Sequence, residues 1–366
     1  MPAERHPLGS ATARIVRRMT YRFNLQEPIA KGVSRSGLEQ IDIAEARLAS
    51  RDDVPTAIHD ARRCLKRLRA LLRLIRPALR ESAYRRETRR IAAIGRLLAG
   101  ARDYHVMHQT LTKLESRFGV LPNGVSARLT KLMVNGAGPK SRRQSAQERR
   151  LALDGLDQAR TFFTRAERKE IAFEHVAEGL ERAYRKARNA FREAYRRPSD
   201  EAFHGWRKTM QQHWRHMQLL SRSWPEVLGA RASEAKELSR LLGDDHDFAV
   251  LLAFALDRGA AVLSAHDRAM LTRVCRSCQS DLRTSAKLHG DRLLAEAPKE
   301  LSERLTIYWS TAQHRLALDP PTQDVEPVRG TQPQASATRR RPRAVGGRVQ
   351  AASRGSSAPK SRRPGQ

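Results

Sequence analysis

Residues 57–79 read AIHDARRCLKRLRALLRLIRPAL. Within them Ala61, Cys64, Leu65, Leu68, Leu71, Leu72 and Ile75 recur at about 100° per residue, the period of an amphipathic helix. Pro55 suits the first turn of that helix, and Pro77 ends or kinks it. On a wheel with His59 as origin, Arg62, Arg63, Lys66, Arg69 and Arg73 share one broad side, opposite the leucines. A solvated helix face normally mixes acids with bases, because opposite pairs four residues apart stabilise it. Here like charges stand together, at a cost of about a few tenths of a kcal/mol per pair.

A related block lies at 202–224, AFHGWRKTMQQHWRHMQLLSRSW. From His204, the residues Arg207, Lys208 and Arg215 fall on the side away from Trp206, Met210, Met217 and Leu220. A second pair of matching blocks is RLLAGARDYHVMHQTL at 96–111 and RLLGDDHDFAVLLAFAL at 240–256. Both pairs are separated by nearly the same offset, which points to a duplicated helical unit. Repeat one spans about 34–120 and repeat two about 172–318. The Gly- and Pro-punctuated stretch 119–146 reads as the joint, with a short helix over Val125–Val134. Further helices are expected at Tyr84–Leu98, Arg102–Phe118, His175–Tyr195, Asp200–Ser221, Ala232–Leu242, Asp247–Asp257, Ala265–Leu288 and Pro298–His314.

Composition agrees with an all-α chain whose core is real and whose surface is strongly basic. Of 366 residues, 40% are hydrophobic and 30% charged, and the formal net charge is +31. Residues 1–18 read as a flexible basic leader without the apolar stretch of a secretory signal. Residues 319–366, rich in Pro, Gly, Ser and Arg, read as a disordered basic tail. That tail holds ten basic and three acidic side chains, so most of the excess charge belongs to the helical part. Such an excess calls for an anionic partner. No apolar run is long enough to span a bilayer, so no membrane partner is expected. Three cysteines, Cys64, Cys275 and Cys278, suggest a reducing compartment, and a cytoplasmic location is expected.

The arrangement His-x-x-Arg-Arg-x-x-Lys-Arg-x-Arg, then Arg-Asp, then His-x-Trp-Arg-Lys, then Leu-Gly-Asp-Asp-His-Asp resembles the CHAD family, the conserved-histidine α-helical domains. The resemblance runs over about residues 20–318. It implies two pseudo-symmetric four-helix-bundle-like halves around a basic cavity that binds inorganic polyphosphate. The matching positions are His59, Arg62, Arg63, Lys66 and Arg69 in the first half, and His204, Arg207 and Lys208 in the second. Arg102 and His246 stand in the later block, and Arg185 and Arg188 in Tyr-Arg-Lys-Ala-Arg. With Arg73 and Arg215 from the helical wheels, these form the candidate polyphosphate-binding set. Gln211 and Gln212 stand where the family commonly has Lys and another polar or charged residue, which implies a weaker second half.

No catalytic residue, cofactor or metal is expected. A metal-dependent phosphohydrolase would use His246-Asp247 with His204 and Asp281 or Asp291, but the equivalent first-half position is Arg102-Asp103, and arginine is no metal ligand. The aspartates fit helix caps or partners of basic groups better. Cys275-x-x-Cys278 is half a zinc site, with His266 and His289 poorly spaced as partners. Nucleic acid is the weaker alternative partner, because aromatic residues are only 5% of the chain and Trp206, Trp214 and Trp224 read as core anchors. His105, His108, His213 and His216 read as structural or surface residues. The location expected of a polyphosphate binder is the polymer's own granules.

Overall fold

The computed structural model describes residues 21–50, 54–98, 102–136 and 142–318. The leader 1–18 and the tail 319–366 lie outside the described residues. Every regular element described is helical: α1 (Ile29–Ala49), α2 (Val54–Leu74), α3 (Glu81–Leu97), α4 (Arg102–Phe118), α5 (Val125–Gly136), α6 (Arg142–Ala166), α7 (Phe173–Arg196), α8 (Asp200–Leu220), α9 (Pro225–Asp257), α10 (Ala265–Leu293) and α11 (Pro298–Leu318).

Local signals explain the boundaries. Ser199 follows Pro198 and accepts a hydrogen bond from the Ala202 amide at 3.1 Å, and Asp200 and Glu201 occupy the positive end of α8. Pro225 opens α9. Ser264 and Asp267 cap α10 reciprocally. Gly119 closes α4 at φ 81°, a conformation that glycine adopts without steric cost.

The helices pack in two groups. Helices α1, α2, α3 and α6 form a closed ring of neighbours, α1 on α2, α2 on α3, α3 on α6 and α6 on α1. Helices α7, α8, α9 and α10 pack in succession, with α11 against α7. Helix α2 touches both α7 and α8, so it joins the groups. Its predicted apolar face is buried throughout: Ala61, Cys64, Leu65, Leu68, Leu71, Leu72 and Ile75 are at most 3% exposed. Each fully buried leucine contributes about 1.5–3 kcal/mol of transfer free energy. Trp206 is buried among Phe191, Tyr195 and Phe203. Trp214 is half-buried. Trp224 is 45% exposed against Tyr308, so it is not a core anchor.

Two differences from the sequence reading matter. Helix α9 is one continuous element where separate helices at 232–242 and 247–257 were expected. Tertiary contacts override the local break signal of Gly243-Asp244-Asp245. Gly243 lies under the Arg207 guanidinium, Asp244 pairs with Lys113 and Arg240, and Asp245 pairs with Arg283. The matching blocks at 96–111 and 240–256 therefore fall on two helices, α3 and α4, in one case and on a single helix in the other. Second, α4 packs against α9 rather than within the first ring. With α5 and the facing ends of α9 and α10 it forms a separate apolar cluster that includes Met107, Leu129, Leu251 and Cys275.

The crossing of α2 and α7 depends on Gly179. A β-carbon there would lie 1.8 Å from the Leu74 carbonyl oxygen, a contact no side-chain rotation relieves. Gly179→Ala is expected to lower stability by about 3 kcal/mol, near the upper end for overpacking. Urea unfolding checks this; a variant as stable as the parent would show that the crossing can open freely.

Candidate functional site

The basic faces of α2 and α8 come together. Lys66, Arg69 and Arg73 from α2, with His204, Arg207, Lys208, Gln211, Gln212 and Arg215 from α8, line a cavity of about 220 Å³. Counted from Lys66 on α2 and from His204 on α8, the others follow at three, four, seven, eight or eleven residues, one face at helical spacing. The lining contains no carboxylate. The amphipathic pattern explains the placement, because burying the leucines of α2 leaves its opposite side to face α8.

Many arginines elsewhere on the surface are neutralised by acids. Arg35, Arg76, Arg160, Arg240, Arg276, Arg283 and Arg304 all pair with carboxylates. Arg69, Arg73, Lys208 and Arg215 make no ion pair among the described residues. Arg215 is only 6% exposed. Its guanidinium donates to the Gln211 carbonyl oxygen and lies 4.1 Å from the Trp214 ring centre. Burial pushes its pKa down to about 10, against the attraction of Tyr21. Burial also lowers Arg69, and neighbouring Arg73 adds to the effect. The Nε atoms of Arg69 and Arg215 are buried without hydrogen-bond partners. Buried positive charge left without a counter-charge is costly, and a bound anion would remove the cost.

His204 stacks on His246 of α9, ring centres 3.9 Å apart and planes 22° from parallel. Both are half-buried. Burial lowers the His204 pKa to about 4, followed by His246, Lys208 and Arg207. Burial, then Arg207 and Lys208, does the same to His246. Both rings are therefore neutral at pH 7. Both rings protonate well below the ordinary histidine range, first because they are buried and then because the same cations that attract an anion repel a proton.

Other members of the candidate set lie elsewhere. His59 is exposed near the start of α2 and is not part of the lining. Arg62 donates to the Leu98 carbonyl oxygen at 2.9 Å, where α3 ends. Arg63 pairs with Asp60 at 3.3 Å. Arg185 pairs with Glu181, and Arg188 reaches the Ala295 carbonyl oxygen at 3.4 Å. Arg102 opens α4, but its side chain lies outside the described residues, as does that of His105. Sequence reasoning missed the stacking of the two histidines, which carries no local signal. It had noted Gln211 and Gln212 only as departures, yet both line the cavity.

The remaining chemistry is structural. Asp200 Oδ1 lies 2.8 Å from Arg276 and 2.7 Å from Arg283, and Asp245 lies 2.6 Å from Arg283, which ties α8, α9 and α10 together. Burial raises the Asp245 pKa against the opposing pull of Arg283. Among the described residues no three His, Cys, Asp or Glu side chains gather as metal ligands would. Cys275 and Cys278 are free and buried, and burial pushes the Cys275 thiol up to about 12. His213 and His216 are buried, and His108 is exposed.

Residues 35–256 match the model of the CHAD domain. The chain belongs to the CHAD family. The match runs from α1 to the end of α9 and takes in every residue lining the cavity. CHAD domains are helical, generally non-catalytic binding domains linked to polyphosphate. A comparison with curated proteins finds no match.

Proposed function

We propose that this CHAD protein binds inorganic polyphosphate in the cavity between α2 and α8. The observation that carries the reading is the convergence of cations from two helices on a space without carboxylates. Lys66 to Arg73 covers about 10 Å of helix axis, and His204 to Arg215 about 16 Å. A row of that length suits a linear polymer with one charge after another better than a single phosphate. Arginine forks grip pairs of phosphate oxygens, and such charge-assisted bonds are roughly twice as strong as neutral ones. Gln211 and Gln212 supply only neutral amides, so the α8 side grips less per residue. The duplicated blocks supply the two rows, one from each half of a pseudo-symmetric pair. The proposed activity is capture, with no bond broken.

The test is a titration of the purified protein with polyphosphate at rising salt. Affinity should fall linearly on a log–log plot, by roughly 0.7 per neutralised phosphate if the polymer behaves like a single-stranded nucleic acid. Salt-independent binding would remove the electrostatic reading. Duplex DNA at equal phosphate concentration should displace little polyphosphate; full displacement would favour a nucleic-acid binder instead.

The location follows from the ligand. Among the described residues no helix is long and apolar enough to cross a membrane. The protein is proposed to act in the cytoplasm and to gather on polyphosphate granules. A fluorescent fusion that stays diffuse in granule-containing cells would count against this part.

A further inference from the structure

A second cationic groove lies on a different pair of helices. Helices α3 and α6 flank an open groove of about 560 Å³ that shares no lining residue with the cavity between α2 and α8. Arg86, Arg89, Arg90 and Arg96 line it from α3, where their spacing of three, four and ten residues places them on one face. From α6 come Asp154 and Gln158. Gly155 lets the helices approach, since a β-carbon there would meet Ile94 at 2.7 Å.

The arginines fall into two kinds. Glu87, 2% exposed, pairs with Arg86 at 3.0 Å and with Arg90, and Arg90 also reaches Gln158 at 3.2 Å. One buried carboxylate thus holds two guanidinium groups in place from beneath. Arg89 and Arg96 are exposed and make no ion pair among the described residues. With Glu87 beneath and Asp154 in the lining, two carboxylates stand against four guanidinium groups. Lys169 lies near one end, where burial and then Arg86 lower its pKa, Glu87 opposes them and Arg80 adds to the lowering. Crowding like charges along one helix face costs stability unless an anion lies across them.

We propose that the groove between α3 and α6 is a second polyphosphate-binding site, which lets one protein molecule hold a long polymer at two places or bridge two polymers. This rests on the proposed function for the choice of ligand. Two attachments on one body multiply affinity for a polymer long enough to reach both, with no new contact at either. A short chain cannot reach both and reads each site separately.

Two variants separate the sites. Arg89→Ala/Arg96→Ala removes exposed side chains from the groove, and Arg69→Ala/Arg73→Ala/Lys208→Ala removes three of the six lysine and arginine side chains that line the cavity. Each is titrated calorimetrically with tripolyphosphate and with long-chain polyphosphate, after circular dichroism and melting confirm the fold. The parent is expected to take up two tripolyphosphate ions and each variant one. The groove variant should bind long chains at least about tenfold more weakly, as lost avidity requires, and should fail to cross-link them into turbid assemblies. A groove variant with two sites and parental long-chain affinity overturns the proposal while leaving the cavity reading intact. If the cavity variant keeps both sites and the groove variant loses one, the cavity reading fails and the groove stands. Displacement of groove-bound polyphosphate by duplex DNA at equal phosphate concentration would reassign the groove to nucleic acid and overturn the proposal.

Discussion

Arg69→Ala/Arg73→Ala/Lys208→Ala should lower the affinity for short linear polyphosphate by about two to four orders of magnitude. Each charge-assisted hydrogen bond contributes roughly 1.5–3 kcal/mol. Lys208 is exposed and largely screened, so its share is discounted. A total of about 3–6 kcal/mol remains, and each 1.4 kcal/mol is tenfold in affinity. Stability should move the other way or not at all. Arg69 is held at a cost by burial and by Arg73, and neither has a carboxylate partner whose charge would be stranded by the change. A structural role for these residues predicts loss of stability together with affinity. Urea unfolding run beside the titration therefore separates the two accounts. His59→Ala/Arg62→Ala should bind nearly as the parent does, because His59 is exposed outside the lining and Arg62 is committed to the Leu98 carbonyl. Equal loss in both variants would show that the site extends along the whole of α2.

Without added polyphosphate, the protein should also lose several kcal/mol of stability as pH falls from about 6.5 towards 4.5. His204, His213, His216 and His246 all have folded-state pKa values below the ordinary histidine value. A depressed folded pKa means that the unfolded chain takes up protons first. The stabilisation is present above the unfolded value and is lost as pH falls towards the folded one. His216 has the clearest cause. It is fully buried, its Nε2 lies 2.9 Å from the Ala70 carbonyl oxygen, and its Nδ1 has no partner to receive a second proton. Its shift to about 4 is worth about 3 kcal/mol once complete. His213 accepts a hydrogen bond from Arg231 at 3.2 Å, so protonation would set two cations against each other. Most carboxylates stay ionised above about pH 4.5, so the histidines dominate this window. Polyphosphate should restore part of the loss, since an anion beside His204 and His246 raises their pKa values and binds only the folded chain. Urea unfolding at pH 7, 5.5 and 4.5, with and without polymer, measures both effects. A flat profile without polymer would contradict the burial argument.

The sequence made the all-helical fold legible and much of the cavity. The leucines of α2 repeat at helical period and are buried where that period puts them. Lys66, Arg69, Arg73, His204, Arg207, Lys208 and Arg215 could be named because two like-charged faces recur in matching blocks. A helical wheel, however, projects every residue onto one circle and discards height along the axis. His59 shares an angular sector with Lys66 but sits about 10 Å further down the helix, beyond the lining. Arg62 and Arg63 found local acceptors, a carbonyl at the end of α3 and Asp60, that angular position does not reveal. The stacked histidines depend on how α8 and α9 pack, and the groove on how α6 returns to α3. Neither arrangement leaves a trace in the order of residues along one helix.

Helix α9 carries a last consequence. Its first half is rooted in the large apolar cluster through Leu228, Leu238 and Leu242, and its far end in the smaller one through Leu251 and Ala255. His246 and Gly243, which touch the wall of the cavity through His204 and Arg207, lie between those anchorages. A rod braced at both ends cannot tilt without tearing apolar contacts from one of them. The backing of the cationic row is thus pre-organised, and the proposed polyphosphate ligand would meet a scaffold that has little freedom left to lose.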